Sequence, residues 1–103
     1  MLPAVIEDNL DQIRSLCVRH RVRSLILFGS AARDDFDSER SDIDFLYEFE
    51  ADATPGLGGY FDFQHALEEV LGRKVDLVFA AEIRNPYLRK SIFESTVPIY
   101  VAA

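Results

Sequence analysis

The chain has 103 residues, 49% hydrophobic and 28% charged, with a formal net charge of −7 and one cysteine. That length supports one domain with a modest core, burying about 60% of the surface its unfolded chain exposes. The acidity argues against a duplex-binding module, which gains affinity by neutralising phosphates; no apolar run reaches the ~20 residues of a membrane span; and the lone Cys17 excludes an intrachain disulfide and suits a reducing cytoplasm.

The N-terminal MLPAVIEDNL is acidic and has no basic stretch ahead of an apolar one, so no secretory signal is expected. Residues 4–20 read as an amphipathic helix. Ile6, Leu10, Ile13 and Cys17 recur at helical spacing with Leu16 beside them, and Glu7, Asp8, Arg19 and His20 sit at the ends the helix dipole favours. On that apolar face Cys17 reads as a packing thiol. Residues 24–28 form a continuous apolar run, the pattern of a strand covered on both faces. Gly29-Ser30 ends it, residues 31–35 suit a single helical turn, and residues 34–40 are polar and loop-like. Residues 43–49 alternate as a strand, with Ile43, Phe45, Tyr47 and Phe49 on one face and Asp44, Leu46 and Glu48 on the other, Asp42 leading in on that second face.

Residues 50–59, with Pro55, Gly56, Gly58 and Gly59, read as a flexible connection; no Gly-Lys-Ser/Thr follows, so this is not a P-loop. A second helix is expected over 60–71, capped by Gly72, with Phe63, Leu67, Val70 and Leu71 on its apolar side. Residues 74–79 form a third strand, Asn85-Pro86 opens a further helix, and 97–101 close as a short strand. The order predicts an α/β (α+β) domain, a small mixed sheet flanked by helices.

The residues that carry chemistry concentrate between 29 and 44. Asp42 and Asp44 are two apart on a strand, about 6.6 Å between Cα atoms, with both side chains facing one way. Asp76 is the odd charge in an apolar strand. If the third strand lies beside the second, Asp76 joins the pair, and three such carboxylates suit Mg²⁺ with substrate phosphates completing its shell. The bland alternative makes Asp42 and Asp44 solvated turn residues. Gly29 allows close backbone approach, and Ser30 either offers a hydroxyl and an N–H to a phosphate or caps a turn. Arg33 either reaches a phosphate oxygen or pairs with Asp34, Asp35 or Asp37. Tyr60 is either a core or rim aromatic or a stacking platform for a base. His20 and His65 are isolated, with no zinc-type cluster.

Gly29-Ser30, Ala32-Arg33, Ser41-Asp42-Ile43-Asp44 and Val75-Asp76-Leu77-Val78 together resemble the minimal nucleotidyltransferase family of the DNA polymerase beta-like superfamily, as do 71–78, Asn85-Pro86-Tyr87-Leu88 and Ile99-Tyr100. The spacing from Ser30 to Asp42 is one residue longer than is usual there, and Asp34 stands where glycine is common. The resemblance implies the nucleotidyltransferase fold, with Gly29, Ser30, Arg33 and Ser41 at the nucleotide. It implies that Asp42 and Asp44 bind metal, and that Asp76 binds metal and activates the acceptor hydroxyl. It also implies two Mg²⁺ ions, ATP as substrate, and a HEPN-type ribonuclease toxin as partner in a hetero-oligomer. The function so implied is transfer of AMP to a toxin tyrosine, as an antitoxin. The alternatives are an antitoxin that acts by contact alone, its acidic surface masking a basic partner, and transfer to a small molecule such as an aminoglycoside.

Overall fold

A computed structural model describes residues 2–32, 42–53, 56–79 and 96–102. Arg33, Asp34, Ser41 and the helix expected to open at Asn85-Pro86 lie outside the described residues. The elements in chain order are helices α1 (Ala4–Glu7) and α2 (Leu10–Arg19), strand β1 (Val22–Phe28), a 3-10 turn (Gly29–Ala32), β2 (Ile43–Phe49), α3 (Gly56–Leu71), β3 (Val75–Phe79) and β4 (Val97–Val101).

The sheet runs β3-β2-β1-β4. β1 is antiparallel to both β2 and β4, while β2 and β3 are parallel. A parallel pair needs a crossover, and α3 supplies it. The mixed sheet with helices is the α/β architecture that the order of elements predicts.

The register sorts the side chains by face. Leu27 lies opposite Phe45, Phe45 opposite Leu77, and Ile43 opposite Val75. These residues are buried, and they form one core with Ile13, Leu16 and Cys17 of α2 and Phe63, Leu67 and Leu71 of α3. A seam of rings extends this core: Tyr47 lies 5.3 Å from Phe49, 5.6 Å from Tyr60 and 5.6 Å from Phe79, centroid to centroid. The other face of β2 carries Asp44, Leu46 and Glu48, as period-two alternation requires.

Three boundaries differ from the sequence reading by more than one residue. The single helix expected over 4–20 is two, because Asn9 folds its side chain back so that Nδ2 donates to Val5 O at 2.7 Å, competing with the helical backbone for that carbonyl. The expected loop 50–59 gives way to helix from Gly56 onward, even though glycine is a poor helix former. Burial of Phe63, Leu67 and Leu71 against the sheet offsets that propensity. β1 begins at Val22, whose side chain is fully buried. Gly72 ends α3 with φ +68° and donates its N–H to Glu68 O at 2.8 Å.

Arg21 makes the α2–β1 turn at φ 59°. Its backbone carbonyl accepts from Glu50 N–H at 2.9 Å, and its guanidinium meets Asp52 at 2.6 Å and Glu50 at 3.1 Å. The hydrogen bond from Arg21 lowers the Asp52 carboxyl below its ordinary range. These exposed pairs contribute little stability and serve to fix the turn.

Cys17 is fully buried, and desolvation pushes its thiol from near 9.0 up to about 12. The native state therefore keeps the proton where the unfolded chain has released it, so stability falls as pH rises from about 9 to about 12. Iodoacetamide should leave native Cys17 unmodified at pH 8 and label it fully in denaturant. Melting temperatures across the alkaline range should fall less steeply in Cys17→Ala than in the wild type.

Candidate functional site

One corner of the sheet gathers the expected carboxylates. Asp44 is the second residue of β2 and Asp76 the second of β3, and the parallel register sets them directly opposite each other. Paired residues in adjacent strands are about 4.8 Å apart and project from the same face. Both are half-buried, and Asp42, one residue ahead of β2, is exposed. Across β2 on the other side, Phe28 at the end of β1 lies opposite Asp44, so the chain leaves β1 beside this corner.

Gly29 makes that exit at φ +74°, a conformation that L side chains rarely adopt. A Cβ at Gly29 would collide with Asp44 Oδ2 and lie 3.3 Å from Asp44 Cγ. The absence of a side chain at Gly29 thus has two causes, backbone conformation and the carboxylate held against it. Ala31 is 1% exposed and anchors the 3-10 turn to the core, which holds the Gly29-Ser30 backbone beside the carboxylates.

Among the described residues, no three His, Cys, Asp or Glu side chains gather closely enough to enclose a metal ion by themselves. Asp44 and Asp76 form a two-carboxylate set, with Asp42 outside it at the exposed edge. Oxygen-only donors in that number fit Mg²⁺, which typically takes one or two protein carboxylates and fills its shell with water and substrate phosphates. The Asp44 carboxylate occupies the space that a Cβ at Gly29 would fill, so it lies directly against the backbone that leaves β1. The Ser30 backbone lies in the 3-10 turn, and Arg33 and Ser41 lie outside the described residues.

The remaining candidates resolve into structural roles. Tyr60 donates its hydroxyl proton to Leu77 O at 3.1 Å and packs on Tyr47, on the helix side of the sheet, so it is a core and rim aromatic. The His20 ring packs 5.4 Å from Phe63. His65 is exposed, with its ring 6.2 Å from Phe61. Two residues that the sequence reading passes over also bear on the site. Gln64 Nε2 donates to Val75 O at 2.9 Å, and Glu68 Oε2 accepts from Val75 N–H at 3.0 Å, so α3 grips the residue before Asp76 on both sides. The signal in the sequence is two polar residues four apart among the apolar positions of α3.

The sequence profile of the nucleotidyltransferase domain family matches residues 10–99. A Methanocaldococcus jannaschii relative named as a protein adenylyltransferase is 42% identical over 79 residues, 77% of this chain and 78% of its own length. A solved minimal nucleotidyltransferase superposes with a TM-score of 0.74 at 32% identity, covering 95% of this chain and 96% of its own. A chain from the complex of tri-AMPylated Shewanella oneidensis HEPN toxin with MNT antitoxin shares the fold, with a TM-score of 0.64 at 19% identity over 93% of this chain and 72% of its own.

The two constraints on Gly29 separate by comparison with Gly72, which has a similar φ of +68° but open space around its Cβ position. Gly72→Ala should cost about 1 kcal/mol in chemical denaturation, the cost of the backbone conformation alone. Gly29→Ala should cost about 1–3 kcal/mol more, because Asp44 must also move.

Proposed function

The chain belongs to the nucleotidyltransferase family, and on that premise we propose that it moves AMP from ATP to a tyrosine hydroxyl of a HEPN-type ribonuclease toxin and so acts as that toxin's antitoxin. The observation that carries this reading is the register pairing of Asp44 with Asp76 beside the Gly29 exit from β1. Support comes from the protein adenylyltransferase name of the Methanocaldococcus relative and from the fold shared with the AMPylated toxin–antitoxin complex.

In this reading the Gly29-Ser30 backbone holds the triphosphate, with Arg33 and Ser41 assisting. Asp44 and Asp76, with Asp42 at the exposed edge beside them, would hold Mg²⁺, two ions in this reading, and the metal would supply the positive charge that an acidic protein and a triphosphate both lack. Asp76 takes the proton from the acceptor hydroxyl. The hydroxyl oxygen forms a bond to the α-phosphorus, the bond from that phosphorus to the bridging oxygen breaks, and pyrophosphate leaves with the electron pair. The protein's work is positioning and charge, as in phosphoryl transfer generally. In this reading the toxin presents the acceptor tyrosine.

A second reading keeps the same partner and drops the chemistry. The net charge of −7 suits a contact antitoxin that masks a basic, RNA-binding surface.

Incubation with ATP, Mg²⁺ and the co-purified partner, followed by intact-mass measurement, should add AMP to the partner. The Asp42→Asn, Asp44→Asn double variant should reduce that transfer by at least about a thousandfold, the scale of losing electrostatic stabilisation at phosphorus. A double variant that silences the partner as well as the wild type does, without added mass, supports the contact reading.

A further inference from the structure

β3 is the outer strand of the described sheet, with β2 on its inner side. Ile43 donates its N–H to Lys74 O at 3.1 Å. In a parallel ladder this turns the N–H and C=O of Val75 away from β2, toward the outer edge. Leu77, two residues on, points its polar groups the same way. An outer edge of this kind would ordinarily be met by water or another strand. Here it is met by side chains of α3. Tyr60, Gln64 and Glu68 are spaced four apart and so share one helix face. Their bonds run along β3 in sequence: Tyr60 Oη donates to Leu77 O at 3.1 Å, Gln64 Nε2 to Val75 O at 2.9 Å, and Val75 N–H to Glu68 Oε2 at 3.0 Å.

We propose that Tyr60, Gln64 and Glu68 form a side-chain rail that fixes the register of β3 and thereby positions Asp76 against Asp44. Period-two alternation makes register critical: a slip of one residue would turn Asp76 into the core and Val75 or Leu77 out of it. Apolar packing resists such a slip but is tolerant of small shifts along the strand. The directional bonds at Val75 are not, and they act on the residue covalently joined to Asp76. Gln64 and Glu68 also match their targets in kind, a donor to the carbonyl and an acceptor to the N–H, and a carboxylate at position 64 would set acceptor against acceptor. Both side chains are half-buried, which raises the cost of leaving their partners unmade. The three are positioning residues: their effect on nucleotide chemistry passes through Asp76 and rests on the magnesium-binding role proposed for that aspartate.

The experiment uses the full chain and three single variants of the rail. Glu68→Leu removes the acceptor while keeping bulk and helix propensity; Glu68→Gln restores a neutral acceptor oxygen. Gln64→Leu provides an independent removal from the other side of Val75. Amide hydrogen exchange is read at Val75 and Asp76, and AMP-PNP affinity is measured with and without Mg²⁺. In Glu68→Leu and Gln64→Leu, exchange at Val75 and Asp76 should accelerate on the order of tenfold beyond any global change. Affinity in Mg²⁺ should fall on the order of tenfold, the scale of one lost half-buried hydrogen bond, while magnesium-free affinity stays within about twofold. Glu68→Gln should recover both. Leu variants that fold and retain both wild-type exchange and magnesium-dependent affinity overturn the proposal, as does a Glu68→Gln variant as impaired as Glu68→Leu. Asp76→Asn serves as the separate control on the site. If it keeps wild-type magnesium dependence, the metal reading fails, and exchange at Val75 alone then decides whether the rail holds the strand.

Discussion

The parallel pairing of β2 with β3 is the constraint on which the rest of this structure depends. It sets Asp44 opposite Asp76. Like charges directly opposite on neighbouring strands are ordinarily unfavourable. A sheet that holds them there must be stabilised elsewhere, and here the stabilisation lies on the opposite face. Ile43, Phe45, Val75 and Leu77 alternate with the two aspartates and are buried against α2 and α3. The hydrophobic face and the carboxylate face belong to the same residues-by-twos pattern, so the core cannot keep its register without also bringing the two charges together.

The surrounding elements serve that juxtaposition. α3 is the crossover that makes the strands parallel, and its Tyr60, Gln64 and Glu68 bond the outer edge of β3. β1 delivers Gly29 to the same corner from the other side, where its missing side chain leaves room for Asp44. The 3-10 turn follows at once, fixed by buried Ala31. The exit from β1 and the starts of β2 and β3 therefore lie at one end of the sheet. Among the described residues, the candidate site lies at the end of β1 and the starts of β2 and β3.

Much of this was legible in the sequence, for reasons that differ by element. β2 and β4 match their expected bounds, 43–49 and 97–101, because apolar and polar residues alternate or break sharply at their ends. Asp42 and Asp44 stood out as two carboxylates two apart at the head of a strand, and Asp76 because a charge in an apolar strand is costly unless it has a use. The meeting of Asp44 and Asp76 was conditional on strand order, a long-range fact that spacing alone does not determine. The break at Asp8-Asn9 was hidden because apolar periodicity runs straight through it, while a single side-chain bond to Val5 O decides the backbone. The glycine-rich start of α3 was hidden because propensity opposes the outcome that packing imposes. Gln64 and Glu68 were hidden most deeply: a polar residue on a helix faces water or a neighbouring strand edge according to how the helix docks, and only the folded chain specifies that.

Manganese(II), which substitutes for magnesium and broadens nearby amide resonances, offers the most direct test of a joint Asp44–Asp76 site. Titrated with AMP-PNP into the isotopically labelled protein, it should broaden the amides of Gly29, Asp44 and Asp76 together, ahead of all resonances in α2 and β4. Broadening that reached Asp44 but left Asp76 sharp, or that centred on another part of the chain, would contradict the account.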